Sequence, residues 1–151
     1  MRMKIAIGCD EAGYKLKEVI RDFVGNKGHQ VQDVGVFDES PVLYPDYAVK
    51  VAMLVAKGDC SRGILICGTG IGMCISANKV PGIRAAVCHD PYSAQRARMS
   101  NVAQILCLGA RVVGAELAKT LTDIWLRCEF AGGGSTEKVE RMNYYDKRFR
   151  K

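Results

Sequence analysis

The feature that most constrains this chain is the regular alternation of short apolar runs with longer amphipathic segments. The runs are five to seven residues long and have the composition of buried strands, whereas the segments between them repeat apolar residues at helical spacing. The pattern predicts strands at residues 4–9, 30–34, 63–67, 83–88 and 102–108, with helices between them. Strands joined by helical crossovers form a parallel sheet with right-handed connections.

We therefore predict an α/β protein with a single-domain, Rossmann-like, doubly wound, five-stranded parallel sheet and helices on both faces. The 151 residues are enough for one domain with a real core. Three glycines, Gly132 to Gly134, interrupt the last amphipathic pattern. They divide the chain into a core of residues 1–131 and a basic helix and tail of residues 132–151. We expect this terminal helix to pack on a partner subunit.

The net charge of +6 raises the question of a nucleic-acid partner. Few residues are aromatic, and no stacking platform or helix-turn-helix pattern occurs, so we expect no nucleic-acid binding. The positive charge gathers at the end of the chain, where it can attract a phosphorylated small molecule. The basic residues there are Lys138, Arg141, Lys147, Arg148, Arg150 and Lys151. No apolar stretch approaches the roughly 20 residues that span a bilayer, so no membrane association is expected.

The seven cysteines indicate a reducing compartment. None forms a Cys-x-x-Cys pair, and the chain has only two histidines, so we expect neither a disulfide framework nor a metal site. The apolar run at the N-terminus breaks at Gly8 and Asp10 and is too short for a secretion signal. We expect a cytoplasmic protein.

Ligands of such sheets bind beyond the carboxyl ends of the strands. The most informative of these ends is the turn Cys67-Gly68-Thr69-Gly70-Ile71-Gly72, which follows a strand and begins a helix. Its bare N–H groups and the helix N-terminus favour an anion. The turn matches neither a dinucleotide fingerprint nor a Walker motif, so no dinucleotide site is expected.

Cys67 is the best-placed residue for chemistry in this turn. Thiols beside a helix N-terminus ionise more readily than free cysteine. Cysteine is equally a small core residue, and position alone leaves both interpretations open. Thr69 has two interpretations as well, because its hydroxyl could bind a substrate oxygen or cap the following helix.

Several motifs, in the same order along nearly the whole chain, resemble those of the ribose-5-phosphate isomerase B family and the related galactose-6-phosphate isomerase subunits. They are GCDEAG near the start, Tyr44-Pro45-Asp46-Tyr47-Ala48, ILICGTGIG, the stretches Ala77-Asn78-Lys79 and Gly82-Ile83-Arg84-Ala85-Ala86, Pro91-Tyr92-Ser93-Ala94-Gln95, and Gly109-Ala110-Arg111-Val112-Val113-Gly114. The resemblance implies interconversion of aldose and ketose phosphates through an enediolate, without a metal or organic cofactor.

The resemblance also implies roles for particular residues. It makes Cys67 the base that moves a proton between C1 and C2, with the loop amides stabilising the enediolate. The catalytic set implied is Cys67, Thr69, Asp10 and Ser100. The substrate- and anion-binding set is Glu11, Tyr44, Gly68, Gly70, Ile71, Gly72, Asn101, Arg111 and Lys138.

Departures from the family pattern affect the expected substrate. Glu11 and Ser100 stand where the family has histidines. The family histidine at the position of Ser100 is credited with opening the furanose ring. Gly134 and Lys138 stand where it has phosphate-binding arginines, and lysine cannot form a bidentate fork.

Three isomerase substrates fit these departures. Ribose 5-phosphate is the default on family frequency, with His89 or a water replacing the lost group. A four-carbon phosphate such as erythrose 4-phosphate or erythrulose 4-phosphate needs no such ring opening, so Ser100 would suffice. A six-carbon substrate, galactose 6-phosphate or allose 6-phosphate, is the third.

A catalytically silent sugar-phosphate-binding protein is the alternative outside catalysis. The intact loop with Cys67 argues for the enzyme. We expect a homodimer or a dimer of dimers with sites at the subunit interface, where Lys138, and with it Arg141, reaches a neighbouring site.

Overall fold

Within residues 1–150, which the computed structural model describes, five strands form one parallel sheet in the order β2-β1-β3-β5-β4. The strands are β1 (Lys4–Cys9), β2 (Gln30–Asp33), β3 (Arg62–Cys67), β4 (Ala85–Val87) and β5 (Ile105–Gly109). The predicted parallel α/β sheet with five strands is therefore confirmed. Strand β3 lies at its centre and β4 at one edge, so the loop after β3 is central on the carboxyl edge.

Helices cover both faces of the sheet. They are α1 (Tyr14–Asn26), α2 (Tyr44–Ala56), α3 (Ile71–Ala77), α4 (Pro91–Met99), α5 (Ala115–Arg127) and α6 (Ser135–Phe149). Successive side chains of a strand point to opposite faces, and β3 shows this directly. Ile64 and Ile66 pack with α1, α4 and α5, whereas Leu65 and Cys67 pack with α2 and α3. Cys67 thus points to the α2–α3 face.

The strands next to α4 are shorter than predicted at their amino ends. The prediction of residues 83–88 for β4 and 102–108 for β5 was wrong there. The backbone of Val102 has a φ of +52°, which no strand accommodates. The N–H of Arg84 donates to the side chain of Gln104 at 2.7 Å instead of to a neighbouring strand. Side-chain hydrogen bonds of this kind leave no trace in hydrophobic periodicity.

Helix α6 contacts the turn that precedes β4 in its own chain. Asp146 accepts the N–H of Gly82 at 2.8 Å, and Asn143 accepts a hydrogen bond from Arg84 at 2.9 Å. Only Val139 of this helix is buried, and the aromatic rings of Tyr144 and its neighbours are exposed. Packing of α6 on a partner subunit stays a prediction. None of the helices in residues 1–150 has the length and apolarity to cross a bilayer.

Candidate active site

The loop after β3 folds back on the sulfur of Cys67. The backbone N–H of Gly70 donates to Cys67 Sγ at 3.1 Å. Gly70 has a φ of +79°, and a Cβ there would lie 3.0 Å from the carbonyl carbon of Leu108. Glycine is therefore required by both conformation and space. Cys67 is buried, with 5% of its surface exposed, and its sulfur lies against the main-chain donors of the loop.

The first turn of α3 offers free N–H groups. Thr69 Oγ1 accepts the N–H of Ile71 at 3.2 Å, so this hydroxyl caps the helix. Among residues 1–150, the N–H groups of Gly72 and Met73 have no acceptor, as expected for the first turn of a helix. The Thr69 side chain is on the surface, whereas Gly68 and Gly70 are buried. The loop thus combines a sulfur, two unpartnered amides and an exposed hydroxyl.

Asp10 follows β1 directly and lies next to the end of β3. Its N–H donates to the carbonyl of Ile66 at 3.3 Å, and its Oδ1 accepts the N–H of Gly13 at 3.0 Å. Burial raises the pKa of this carboxyl, and the Gly13 hydrogen bond opposes that rise. Asp10 is 7% exposed. Because β1 and β3 are neighbours in the sheet, it lies one strand away from Cys67 at the same edge.

Glu11 and Tyr44 close the α2 side of the loop. Glu11 Oε2 accepts the N–H of Val42 at 3.2 Å, so its carboxylate holds the segment that leads into α2. The ring of Tyr44 lies in the space that a side chain at position 72 would occupy. Gly72 therefore allows Tyr44 to pack directly on the first turn of α3.

Arg111 and His89 complete this edge. The N–H of Arg111 donates to the carbonyl of Gly68 at 2.9 Å, and a Cβ at Gly68 would lie 3.0 Å from Arg111 Nη1. The N–H of Gly109 donates to His89 Nε2 at 2.9 Å. Burial lowers the pKa of His89, which agrees with a neutral ring that accepts at Nε2. The sequence placed His89 after β4 but gave no sign of this contact.

Ser100 and Asn101 do not join this group within one chain. Helix α4 begins at the carboxyl end of β4 and runs back, so its end lies at the amino edge of the sheet. Arg84, which precedes β4, confirms this position because its Nε donates to the carbonyl of Val102 at 3.2 Å. Ser100 and Asn101 therefore lie at the opposite edge of the sheet from Cys67 of the same chain, and their part in the site stays a prediction. Lys138 lies on α6, which contacts the same amino edge.

Arg96 holds the hydroxyl of Ser100. Its Nε and Nη2 donate to Ser100 Oγ at 2.9 Å and 2.5 Å. This arginine was not among the predicted site residues, although its spacing of four residues from Ser100 places both on one face of α4. Arg96 and Asn101 line a cleft of about 470 Å³ that runs along the exposed edge of β4. No three His, Cys, Asp or Glu side chains gather as metal ligands in the described part of the chain.

Comparison with known proteins finds similarity to sugar-phosphate isomerases both in sequence and in structure. Residues 5–142 match the ribose/galactose isomerase family. The D-erythrulose-4-phosphate isomerase of Pectobacterium atrosepticum is 56% identical over 147 residues, which is 95% of each chain. The ribose-5-P isomerase B of Listeria innocua is 53% identical over 148 residues, 98% of this chain and 100% of the other.

Among solved structures, the ribose-5-phosphate isomerase B of Clostridium thermocellum superposes with a TM-score of 0.96. It is 49% identical, and the alignment covers 98% of this chain and 100% of that one. The similarity therefore extends over the whole sheet and all the loops at its carboxyl edge.

Proposed function

The chain belongs to the ribose/galactose isomerase family of sugar-phosphate isomerases, and from that membership we propose that it interconverts the aldose and ketose forms of a four-carbon sugar phosphate, erythrose 4-phosphate and erythrulose 4-phosphate. The observation that carries the choice of substrate is the state of Ser100, whose hydroxyl accepts two N–H groups from Arg96. A hydroxyl bound in this way to a cation is a poor base.

Ring opening explains why this matters. A furanose of ribose 5-phosphate closes through the oxygen on C4, and its opening needs an acid and a base. In erythrose 4-phosphate that oxygen carries the phosphate, so the aldose is open already. The four-carbon substrate therefore needs no ring-opening acid or base, and a site in which Ser100 is bound to Arg96 is sufficient for it. The P. atrosepticum relative, which is named for erythrulose 4-phosphate, supports this choice.

Cys67 acts as the base in the proposed reaction. Its sulfur, ionised, takes the proton from C2 of the aldose and returns it to C1, while the hydroxyl proton moves between O2 and O1. The charge of the enediolate falls on oxygens that face the loop, where the N–H groups of Gly72 and Met73 are free to donate. Thr69 presents its exposed hydroxyl to the same region.

Asp10 and Arg111 bind the substrate at this edge. Burial raises the pKa of Asp10, yet its hydrogen bond from Gly13 fixes the carboxyl at the end of β1, where it can accept from a sugar hydroxyl. The Arg111 guanidinium lies against Gly68 with no carboxylate within 4.0 Å in residues 1–150, which leaves it free for an oxyanion. No step of this reaction requires a metal or cofactor.

The complete site requires a second copy of the chain. Ser100, Asn101 and Lys138 belong to the proposed site, but they lie at the opposite edge from Cys67 in their own subunit. A homodimer that sets the β4 edge of one subunit against the Cys67 loop of the other brings the two groups together. Exposed Ile71 and Tyr92 are apolar surface available for such an interface.

Ribose 5-phosphate is the second candidate. His89 favours it, since a neutral imidazole at the carboxyl edge is a possible acid–base for ring opening. The names of the L. innocua and C. thermocellum relatives agree with this substrate.

A substrate panel tests the proposal. The purified protein is assayed on erythrose 4-phosphate, ribose 5-phosphate, allose 6-phosphate and galactose 6-phosphate, with Cys67→Ala as the inactive control. We expect the highest kcat/KM on the four-carbon substrate, and a gain on ribose 5-phosphate in a Ser100→His variant. A higher kcat/KM on ribose 5-phosphate in the unmodified protein would overturn the choice. Binding without turnover on every substrate would identify a silent binding protein.

A further inference from the structure

We infer that Arg96 binds the phosphate of the substrate held in the partner subunit's site, and that Ser100 serves to aim its guanidinium. This inference rests on the proposed function and names a specificity-determining residue for it. The resemblance implies no role for Arg96, and the evidence for one is the geometry of its guanidinium.

The hydrogen bonds to Ser100 leave a specific edge of the guanidinium free. Nε and Nη2 donate to the same oxygen, so one edge of the planar group is occupied. The opposite edge is formed by Nη1 and the second hydrogen of Nη2. Within residues 1–150 its one hydrogen bond runs from Nη1 to the sulfur of Met99, a weak acceptor, at 3.9 Å. Such an edge matches a bidentate phosphate. The bond to Ser100 also orders the side chain before the ligand arrives.

The charge of Arg96 is not neutralised within its own chain. Among residues 1–150, five other arginines have a carboxylate within 4.0 Å: Arg21, Arg62, Arg98, Arg127 and Arg150. Arg96 has none among residues 1–150. At the same time, Gly134 stands where the resemblance implies a phosphate-binding arginine. Arg96 therefore offers a guanidinium to a site that has lost one.

The location of Arg96 requires that it act on the partner. It lines the cleft along the β4 edge, together with Arg84 and Asn101. Strand β5 separates β4 from β3, so this cleft is not the surface that the Cys67 loop faces. In the proposed dimer the cleft is the surface set against the other subunit's loop. A cleft of about 470 Å³ has room for the phosphate end of a small sugar phosphate.

Inhibition by inorganic phosphate measures this contact directly. We expect Arg96→Leu to raise both the Ki of phosphate and the KM of the best substrate about tenfold or more, with a smaller change in kcat, because one charge-assisted contact is lost. Arg96→Lys should recover part of the affinity. Arg127→Leu, which removes an exposed arginine elsewhere on the surface, is the matched control.

A mixed dimer tests action between subunits. Cys67→Ala and Arg96→Leu chains carrying different tags are co-expressed, and the heterodimer is purified through both tags. If Arg96 serves the partner's site, both defects fall in one site and the other site is intact, so the heterodimer keeps about half of the wild-type activity. If Arg96 served its own chain, both sites would be impaired and the activity would stay low, which would overturn the inference.

Phosphate binding separates failure of this inference from failure of the proposed function. Calorimetric titration with inorganic phosphate needs no turnover, so it reports on Arg96 even if the four-carbon substrate proves wrong. An unchanged dissociation constant in Arg96→Leu overturns the inference. Should Arg96→Leu fail to fold, Ser100→Ala provides the second test: it frees the guanidinium, and we expect phosphate affinity to fall about threefold or more through lost preorganisation. An unchanged affinity in Ser100→Ala would contradict the aiming role of Ser100.

Discussion

The backbone N–H of Gly109 donates to His89 Nε2 at 2.9 Å, and this bond ties the end of β5 to the segment after β4. Gly109 is the register partner of Cys67 and lies against the backbone of Thr69. The imidazole of His89 therefore supports, through Gly109, the surface against which the loop after β3 packs.

This contact predicts a loss of stability in acid. Burial lowers the pKa of His89 in the folded state, so the folded protein binds fewer protons there than the unfolded chain. The stabilisation is present above the unfolded pKa of about 6.5 and is lost as pH falls through the lower folded value. The charged residue nearest in sequence is Asp90, which opposes the shift. We expect Tm to fall between roughly pH 7 and pH 5.

Variants of His89 identify its share of that loss. His89→Asn keeps an acceptor for Gly109 and should retain most activity with a flatter dependence of Tm on pH. His89→Ala should lose activity and stability at every pH. Burial also lowers the pKa of His29. This histidine is present in both variants, so its contribution to the pH dependence of Tm is the same in each. An unchanged pH dependence in His89→Asn would contradict the assignment.

Gly109 itself should not tolerate a side chain. A Cβ at this position would lie 2.7 Å from backbone atoms of Thr69, so the loop would have to move. We expect Gly109→Ala to lower kcat by about 10²-fold, since displacements near 1 Å have effects of that size. Gly114→Ala is the control, because nothing lies within 4 Å of the added Cβ there. Equal activities of the two variants would show that the close approach does not matter.

Alkylation should separate two of the cysteines. Cys67 lies at the loop, whereas Cys74 on α3 is half-buried and its pKa is lowered by its contact with the thiol of Cys107. We expect iodoacetamide to modify both, and a bound sugar phosphate to slow the modification of Cys67 only. Peptide mass spectrometry over time measures the two rates. Protection of Cys74 instead would place the ligand elsewhere.

Arg62 should make a large contribution to the free energy of unfolding, because it binds the carboxyl end of α5. Its guanidinium donates to the carbonyls of Trp125 at 2.7 Å and Leu126 at 3.1 Å, and it pairs with Glu129 at 2.7 Å. Arg62→Leu leaves these buried carbonyls without a donor, and we expect a loss of about 3–5 kcal/mol in the free energy of unfolding.

The exposed Arg127 is the matched control for Arg62. Its side chain is 65% exposed and, within the described part of the chain, pairs only with Asp123 on the same helix, so Arg127→Leu should cost less than about 1 kcal/mol. Urea unfolding of both variants measures the difference. Similar losses would contradict a special role for the buried guanidinium.

The sequence by itself determined the alternation of strands and helices, because burial on a sheet or a helix imposes a period on the apolar residues. It also located the Cys67 loop, since glycines, a cysteine and a helix start were adjacent in the chain. The position of Asp10 at the edge that holds the Cys67 loop followed from one rule, that the carboxyl ends of parallel strands lie at a common edge.

Only the tertiary structure decided what the polar side chains do. The bond between Arg96 and Ser100, the support of Gly109 by His89 and the placement of Ser100 opposite Cys67 depend on how α4 packs against β4 and β5. Periodicity records which face of an element is buried. It does not record which distant donor meets which acceptor, because that depends on the packing of whole elements.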